Sequence, residues 1–208
     1  MLQIIPALLV AITVVIQCLA VQMSRYRLSR MNARPPHHGL ALMSGMLAAA
    51  AIILRLYQND SAVGVLFMTI MTGCMTLMTL TDAASCRLPR PFTIMYLISG
   101  SAFRLWQGDW LTGLCSAGFW FLLLLLFRQY TSYRRKTDTI GLGDVFLIAG
   151  IAIWSPPGDI PWIVATAAGG ALLYLWCNRQ RRITRELPFG PFLCASQYAF
   201  TFYPGGLW

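Results

Sequence analysis

Apolar residues along this chain fall in long runs broken by short polar segments, with neither strict alternation nor a narrow amphipathic stripe. Eight runs can be drawn, at 2–23, 39–57, 62–80, 92–107, 110–127, 143–154, 161–177 and 189–203. A run of about 20 apolar residues matches the thickness of a bilayer's hydrocarbon core. The pattern therefore predicts an all-α fold, a polytopic membrane helical bundle with about six to eight transmembrane helices. The run at 143–154 is short, and segments of that size also occur as buried or re-entrant helices. No basic segment precedes the first run and no small-residue cleavage site follows it, so it reads as a retained helix. Residues 1–208 are read as one integral membrane domain.

The polar segments carry a strict charge pattern. Arg25, Arg27, Arg30 and Arg34 follow the first run, and Arg87 and Arg90 the third. Arg128, Arg134, Arg135 and Lys136 follow the fifth, and Arg179, Arg181, Arg182 and Arg185 the seventh. These are 14 of the 16 Lys and Arg residues. The alternate loops have none, and each holds one acid, Asp60, Asp109 or Asp159. The positive-inside rule puts the basic loops in the cytoplasm and both termini outside. It also requires the short sixth run to cross. The two remaining cations, Arg55 and Arg104, sit in similar strings, a faint two-helix repeat. Each is read as snorkelling to the outer interface beside an aromatic and an Asp.

Composition narrows the class. The chain is 57% hydrophobic and 11% charged, with mean hydropathy +0.61. A soluble domain has about 25% charged residues. The net charge of +9 raises nucleic acid as a partner, but its distribution fits topology and anionic lipid headgroups instead. Six cysteines form no C-x-x-C pair and lie mostly in apolar runs, which favours buried free thiols over disulfides or zinc. His37 and His38 have no Cys or acid nearby at ligand spacing, so no metal site is expected. Ser85 and Cys86 lack a base, since no other His exists in the chain.

Two acids remain. Asp82 closes the third run and Asp144 opens the sixth, in Gly141-Leu142-Gly143-Asp144. The loop charges place both at the cytoplasmic boundary. Alone, each has a bland reading, as a solvated or helix-capping carboxylate. Together they are the one acid–base pair on one face. Facing carboxylates that share a proton activate water, because like charges a few ångströms apart do not readily both ionise. Gly141 and Gly143, without side chains, would admit another backbone beside Asp144. Asp138 reads as solvated in a basic loop, and Glu186 as pairing with Arg185 or Arg182.

These residues resemble the type IV prepilin peptidases, membrane aspartyl proteases with a G-x-G-D motif. Asp82 lies seven residues before Pro89, as the family's first aspartate precedes its Ile-Pro step. Gly141 to Asp144 resembles the second aspartate motif. Pro188, Phe189, Gly190 and Pro191 resemble the family's closing Pro-Phe-Gly-Pro segment, and 26–31 faintly resembles its arginine-bearing stretch. Arg90 stands where the family usually has Asp or Asn, and Phe146 where it often has Lys. Larger relatives carry a cytoplasmic domain with paired C-x-x-C motifs after the first span, and this chain has a short loop there.

The resemblance implies a leader peptidase of the bacterial inner membrane, cutting basic leaders from prepilins or pseudopilins at the cytoplasmic face. It implies Asp82 and Asp144 as catalytic, with Gly141, Gly143, Pro89, Pro188, Phe189, Gly190 and Pro191 supporting the site or binding substrate. Peptide cleavage then needs no cofactor. S-adenosylmethionine enters only if the methyltransferase activity of bifunctional relatives is retained. Pilus or secretion assembly machinery and membrane lipids are the expected partners, and nucleic acid is not. Two rivals are a non-catalytic assembly subunit and a proton-coupled transporter. A transporter predicts acids nearer the bilayer centre, and a subunit tolerates Asp→Asn exchange.

Overall fold

A computed structural model describes residues 4–31, 33, 38–57, 61–135, 141–178 and 187–202. Among them are eight helices and no strand: α1 (Ile4–Arg30), α2 (His38–Tyr57), α3 (Ala62–Ser85), α4 (Arg90–Gln107), α5 (Trp110–Arg135), α6 (Leu142–Trp154), α7 (Ile160–Cys177) and α8 (Gly190–Thr201). Each apolar run is a helix. The largest differences are at the ends of α1 and α5, which continue into the basic stretches. Helix propagation adds a hydrogen bond for each residue fixed, so arginines and polar residues extend a helix that the apolar run has already nucleated. The third run likewise extends to Ser85, which places Asp82 inside the last turns of α3.

Four helices are long and apolar enough to cross a membrane: Leu8–Arg30, Ala62–Ser85, Trp110–Arg134 and Ile160–Cys177. Of these, α3 is the central one, buried over 72% of its apolar window against 17–28% for the others. The outer helices turn Leu19, Leu122, Leu126, Leu172 and Trp176 outward, a surface matched to lipid. The short α6 is inside, with Val145 and all of Leu147 to Trp154 buried.

Specific contacts fix the direction of each helix. Thr13 meets Thr69 and Gln17 meets Thr72, both at 3.2 Å, so α1 and α3 are parallel. Such interhelical hydrogen bonds are the usual polar link between membrane helices. Phe67 packs on Phe103 with ring centroids 5.4 Å apart, which sets α4 antiparallel to α3. Phe121 on Phe146 joins α5 to α6, and Tyr174 on Phe192 joins α7 to α8. The Tyr198 hydroxyl donates to the Thr72 carbonyl at 3.3 Å and holds α8 antiparallel to α3. Ile52 clusters with Leu9 and Val65, which turns α2 back along α1 and α3. Directions alternate along the chain, as the loop charges predicted.

α4 and α6 are parallel neighbours and approach closely. A Cβ on Gly150 would stand 2.5 Å from the Tyr96 ring, and one on Gly100 would stand 2.8 Å from both Ile153 and Trp154. Beside this seam Phe103 stacks on Trp154 at 5.2 Å, and the Trp154 indole donates to the Tyr96 carbonyl at 3.1 Å. The Tyr96 hydroxyl donates to Gln197 at 2.6 Å and ties the seam to α8.

Arg104 departs from the snorkelling reading. It is 7% exposed, and its guanidinium donates to the carbonyls of Ile153 and Ser155 at 2.8 and 3.0 Å, and to Asp109 at 3.2 Å. The last carbonyls of a helix have no partner of their own. The C-terminus of α6 lies inside the bundle, so those carbonyls draw the arginine inward. Of Arg55 only the backbone is described, as part of α2.

Candidate active site

Asp82 and Asp144 lie at the same end of the bundle. Asp82 is about one turn before the end of α3, and Leu88, in the connection to α4, packs on Gly143, one residue before Asp144. Asp82 is 4% exposed, with its side chain turned to the start of α8. Its Oδ2 accepts a hydrogen bond from the Gly190 amide at 2.8 Å. That amide opens α8, so it is one of the N–H groups a helix leaves unpaired, at the positive end of its dipole. Pro191, next in sequence, has no N–H to compete. A Cβ on Gly190 would lie 2.8 Å from Asp82 Oδ2, so glycine is the residue that lets the carboxylate reach the backbone.

Asp144 is the third residue of α6, after the extended Gly141 that begins it. It is therefore not the capping residue, and Gly141 supplies no side-chain cap. Asp144 is partly buried and lies within electrostatic reach of Asp82. Cys194 on α8 is 1% exposed, hydrogen-bonds to Thr79 and feels both carboxylates. The floor of the site is thus made by α3 and α8, and one wall by the start of α6. Neither Cys194 nor Thr79 stood out in the sequence. Their positions on the faces of α3 and α8 shared with the aspartates are the only signal, and it is visible once the two helices are known to pair.

The two glycines of Gly141-Leu142-Gly143-Asp144 do different things. The space at Gly143 is filled by the chain itself, since a Cβ there would lie 2.8 Å from the Cβ of Leu88. This corrects the expectation that both glycines stand open to another backbone. Gly141 is exposed, and a Cβ on it would meet Asp144 Oδ2 at 3.2 Å. It leaves one side of that carboxyl bare. Pro89 precedes α4, and Pro188 and Phe189 precede α8. They start the helices that bracket Asp82, with no polar contact of their own to either aspartate among the hydrogen bonds described.

The remaining candidates separate from this end. Asp109 pairs with Arg104 and Asp159 starts α7, both at the opposite end. The Ser85 hydroxyl donates to the Thr81 carbonyl at 2.7 Å, as a helix-terminal serine does. His38 faces Arg25 at 3.3 Å. Among the described residues no three His, Cys, Asp or Glu side chains gather as a metal site. None of the six cysteines is in a disulfide. Cys74 and Cys194 are buried and Cys86 partly so, whereas Cys18, Cys115 and Cys177 are exposed. His37, Asp60, Asp138, Glu186 and the basic residues Arg34, Lys136, Arg179, Arg181, Arg182 and Arg185 lie outside the described residues.

Comparison with known proteins gives a consistent result. The type IV leader peptidase family matches residues 69–176. Two curated relatives, each a "Prepilin leader peptidase/N-methyltransferase" from Burkholderia pseudomallei (strains 1026b and K96243), are 32% identical over 175 residues, covering 79% of this chain and 53% of the relative. The chain thus spans about half the length of the curated relatives it matches. No solved structure matches it.

Proposed function

We propose, from the premise that this multi-pass membrane protein belongs to the type IV leader peptidase family, that it cleaves leader peptides from prepilins or pseudopilins. Asp82 and Asp144 are the catalytic pair of this proposal. The observation that carries it is their placement: two carboxylates from distant parts of the chain come to one end of the bundle, Asp82 on the Gly190 amide and Asp144 beside the contact of Leu88 with Gly143. A transporter is the poorer fit, because the pair is at the helix ends and not at mid-depth.

In this mechanism one carboxylate is ionised and takes a proton from water as the water oxygen attacks the scissile carbonyl carbon. The other is protonated and donates to the carbonyl oxygen. A proton then passes to the departing amine nitrogen as the C–N bond breaks. The Gly190 amide holds one oxygen of Asp82, which leaves the other free to face the reaction. Water and two carboxyls suffice, so the cleavage calls for no cofactor. S-adenosylmethionine belongs to a methyl transfer outside this proposal. The basic ends of α1 and α5 support a cytoplasmic position for the aspartate end, with a bacterial inner membrane as the setting of this proposal. Gly141 is the bare edge by which substrate reaches Asp144.

The test is leader removal from a co-expressed prepilin, followed as a gel shift in membranes for wild type, Asp82→Asn and Asp144→Asn. Cleavage by wild type and none by either inserted variant is expected. Cleavage that persists in one variant removes that residue from the mechanism. Absence of cleavage by wild type across several prepilins favours an assembly subunit.

A further inference from the structure

The far end of the bundle holds an arginine that the proposed mechanism does not use. Arg104 lies on α4, yet two of its donors serve α6. Nε donates to Ile153 O at 2.8 Å and Nη2 to Ser155 O at 3.0 Å. Nη1 pairs with Asp109 Oδ2 at 3.2 Å. Its stem runs over Gly113 of α5, where a Cβ would stand 2.9 Å from Cγ. The guanidinium is thus fixed from three directions, and its charge lies at the negative end of the α6 dipole.

We infer that Arg104 is a positioning residue for the aspartate pair: by holding the C-terminal carbonyls of α6, it sets the axial register in which Asp144 meets Asp82. This rests on the peptidase reading above. α6 is a 13-residue rod with Asp144 near one end and the Arg104 contacts at the other, about 14 Å away at 1.5 Å per residue. Packing at Gly100 and Gly150 fits α6 closely against α4, and the directional hydrogen bonds from Arg104 add an axial anchor at the helix end. Among the hydrogen bonds described, the polar contacts that α6 makes with α4, from Arg104 and through the Trp154 indole, are at that far end. Near Asp144 the helix is held against the connection that leads into α4, by Leu88 on Gly143, and Leu142 is exposed. Asp82 is referred to the same α4 through the short Cys86–Pro89 connection. A slip of α6 by one residue would move Asp144 by about 1.5 Å. A misplacement of about 1 Å in a catalytic group costs about 100-fold in rate.

The experiment is steady-state cleavage of a purified prepilin by the full chain in proteoliposomes, with kcat and KM normalised to folded protein. Arg104→Gln is expected to lower kcat about 100-fold and leave KM within about twofold. Arg104→Lys is expected to fall between, because an ammonium lacks the planar fork that serves two carbonyls and a carboxylate at once. Asp109→Asn keeps both carbonyl contacts and is expected to stay within about threefold of wild type. A wild-type kcat in folded Arg104→Lys overturns the inference, as does a loss confined to KM or to the yield of folded protein. If neither Arg104 variant folds, the residue serves folding alone and the inference is overturned too. Absence of cleavage by wild type is a different failure: it overturns the peptidase reading and this inference with it.

Discussion

The Asp82 carboxylate accepts a hydrogen bond from the amide of Gly190, a residue 108 positions later in the chain, at 2.8 Å. This one contact explains why a glycine stands between Phe189 and Pro191. Gly190→Ala puts a methyl group 2.8 Å from Oδ2 and 3.2 Å from Cγ of Asp82. The expected outcome is a loss of prepilin cleavage of about 100-fold, with the protein still inserted. A gel-shift time course on membranes with matched protein levels checks it, and undiminished cleavage would remove the contact from the mechanism.

Gly143 and Leu88 form the second such pair. Gly143→Ala brings a methyl group 2.8 Å from the Leu88 Cβ and 3.2 Å from its Cδ1, which pushes the first turn of α6 away from α4. Cleavage is expected to fall at least tenfold. Leu88→Ala removes Cδ1 and the Cγ branch, so the double variant is expected to recover part of that loss. A double-mutant cycle measures the coupling, and strictly additive effects would contradict it.

A proton shared by two carboxylates gives cleavage a bell-shaped pH profile. Falling pH protonates the ionised member and removes the base. Rising pH strips the proton from its partner and removes the acid. The rate therefore declines on both sides of an optimum, with apparent constants that belong to the pair. Initial rates across a buffer series check this, and a rate that rises steadily with pH would exclude the shared-proton mechanism.

Stability depends on a contact deeper in the bundle. Tyr96 donates to Gln197 at 2.6 Å, and both residues are fully buried. Tyr96→Phe strands the Gln197 carbonyl oxygen, at an expected cost of about 1–3 kcal/mol. Thermal unfolding in detergent would show it. The double change Tyr96→Phe with Gln197→Leu is expected to cost less than the sum of the single changes, since it removes the stranded group.

Much of this arrangement was legible in the residues. Apolar runs gave all eight helices, and the loop arginines gave their alternating directions, which is enough to put Asp82 and Asp144 at one end. Arg104 was misread. Its neighbours in sequence, Trp106 and Asp109, are those of an interfacial arginine, and its chief partners are carbonyls 49 and 51 residues away. Gly143 was misread for a related reason: a bare glycine shows that something comes close, but not that the visitor is Leu88. The bond between Gly190 and Asp82 was invisible because it depends on which helices pair across more than a hundred residues.

The seam between α4 and α6 has a last consequence. Two parallel neighbours cannot be joined by a tight turn, and the chain uses α5 to return between them. What aligns them is the fit of Leu88 on Gly143, Tyr96 on Gly150 and Arg104 on Ser155, none of which needs the covalent link. The two aspartates could therefore be carried by separate polypeptides. A fragment ending beyond α5, co-expressed with one beginning just before α6, should find its partner in the membrane and rebuild the site.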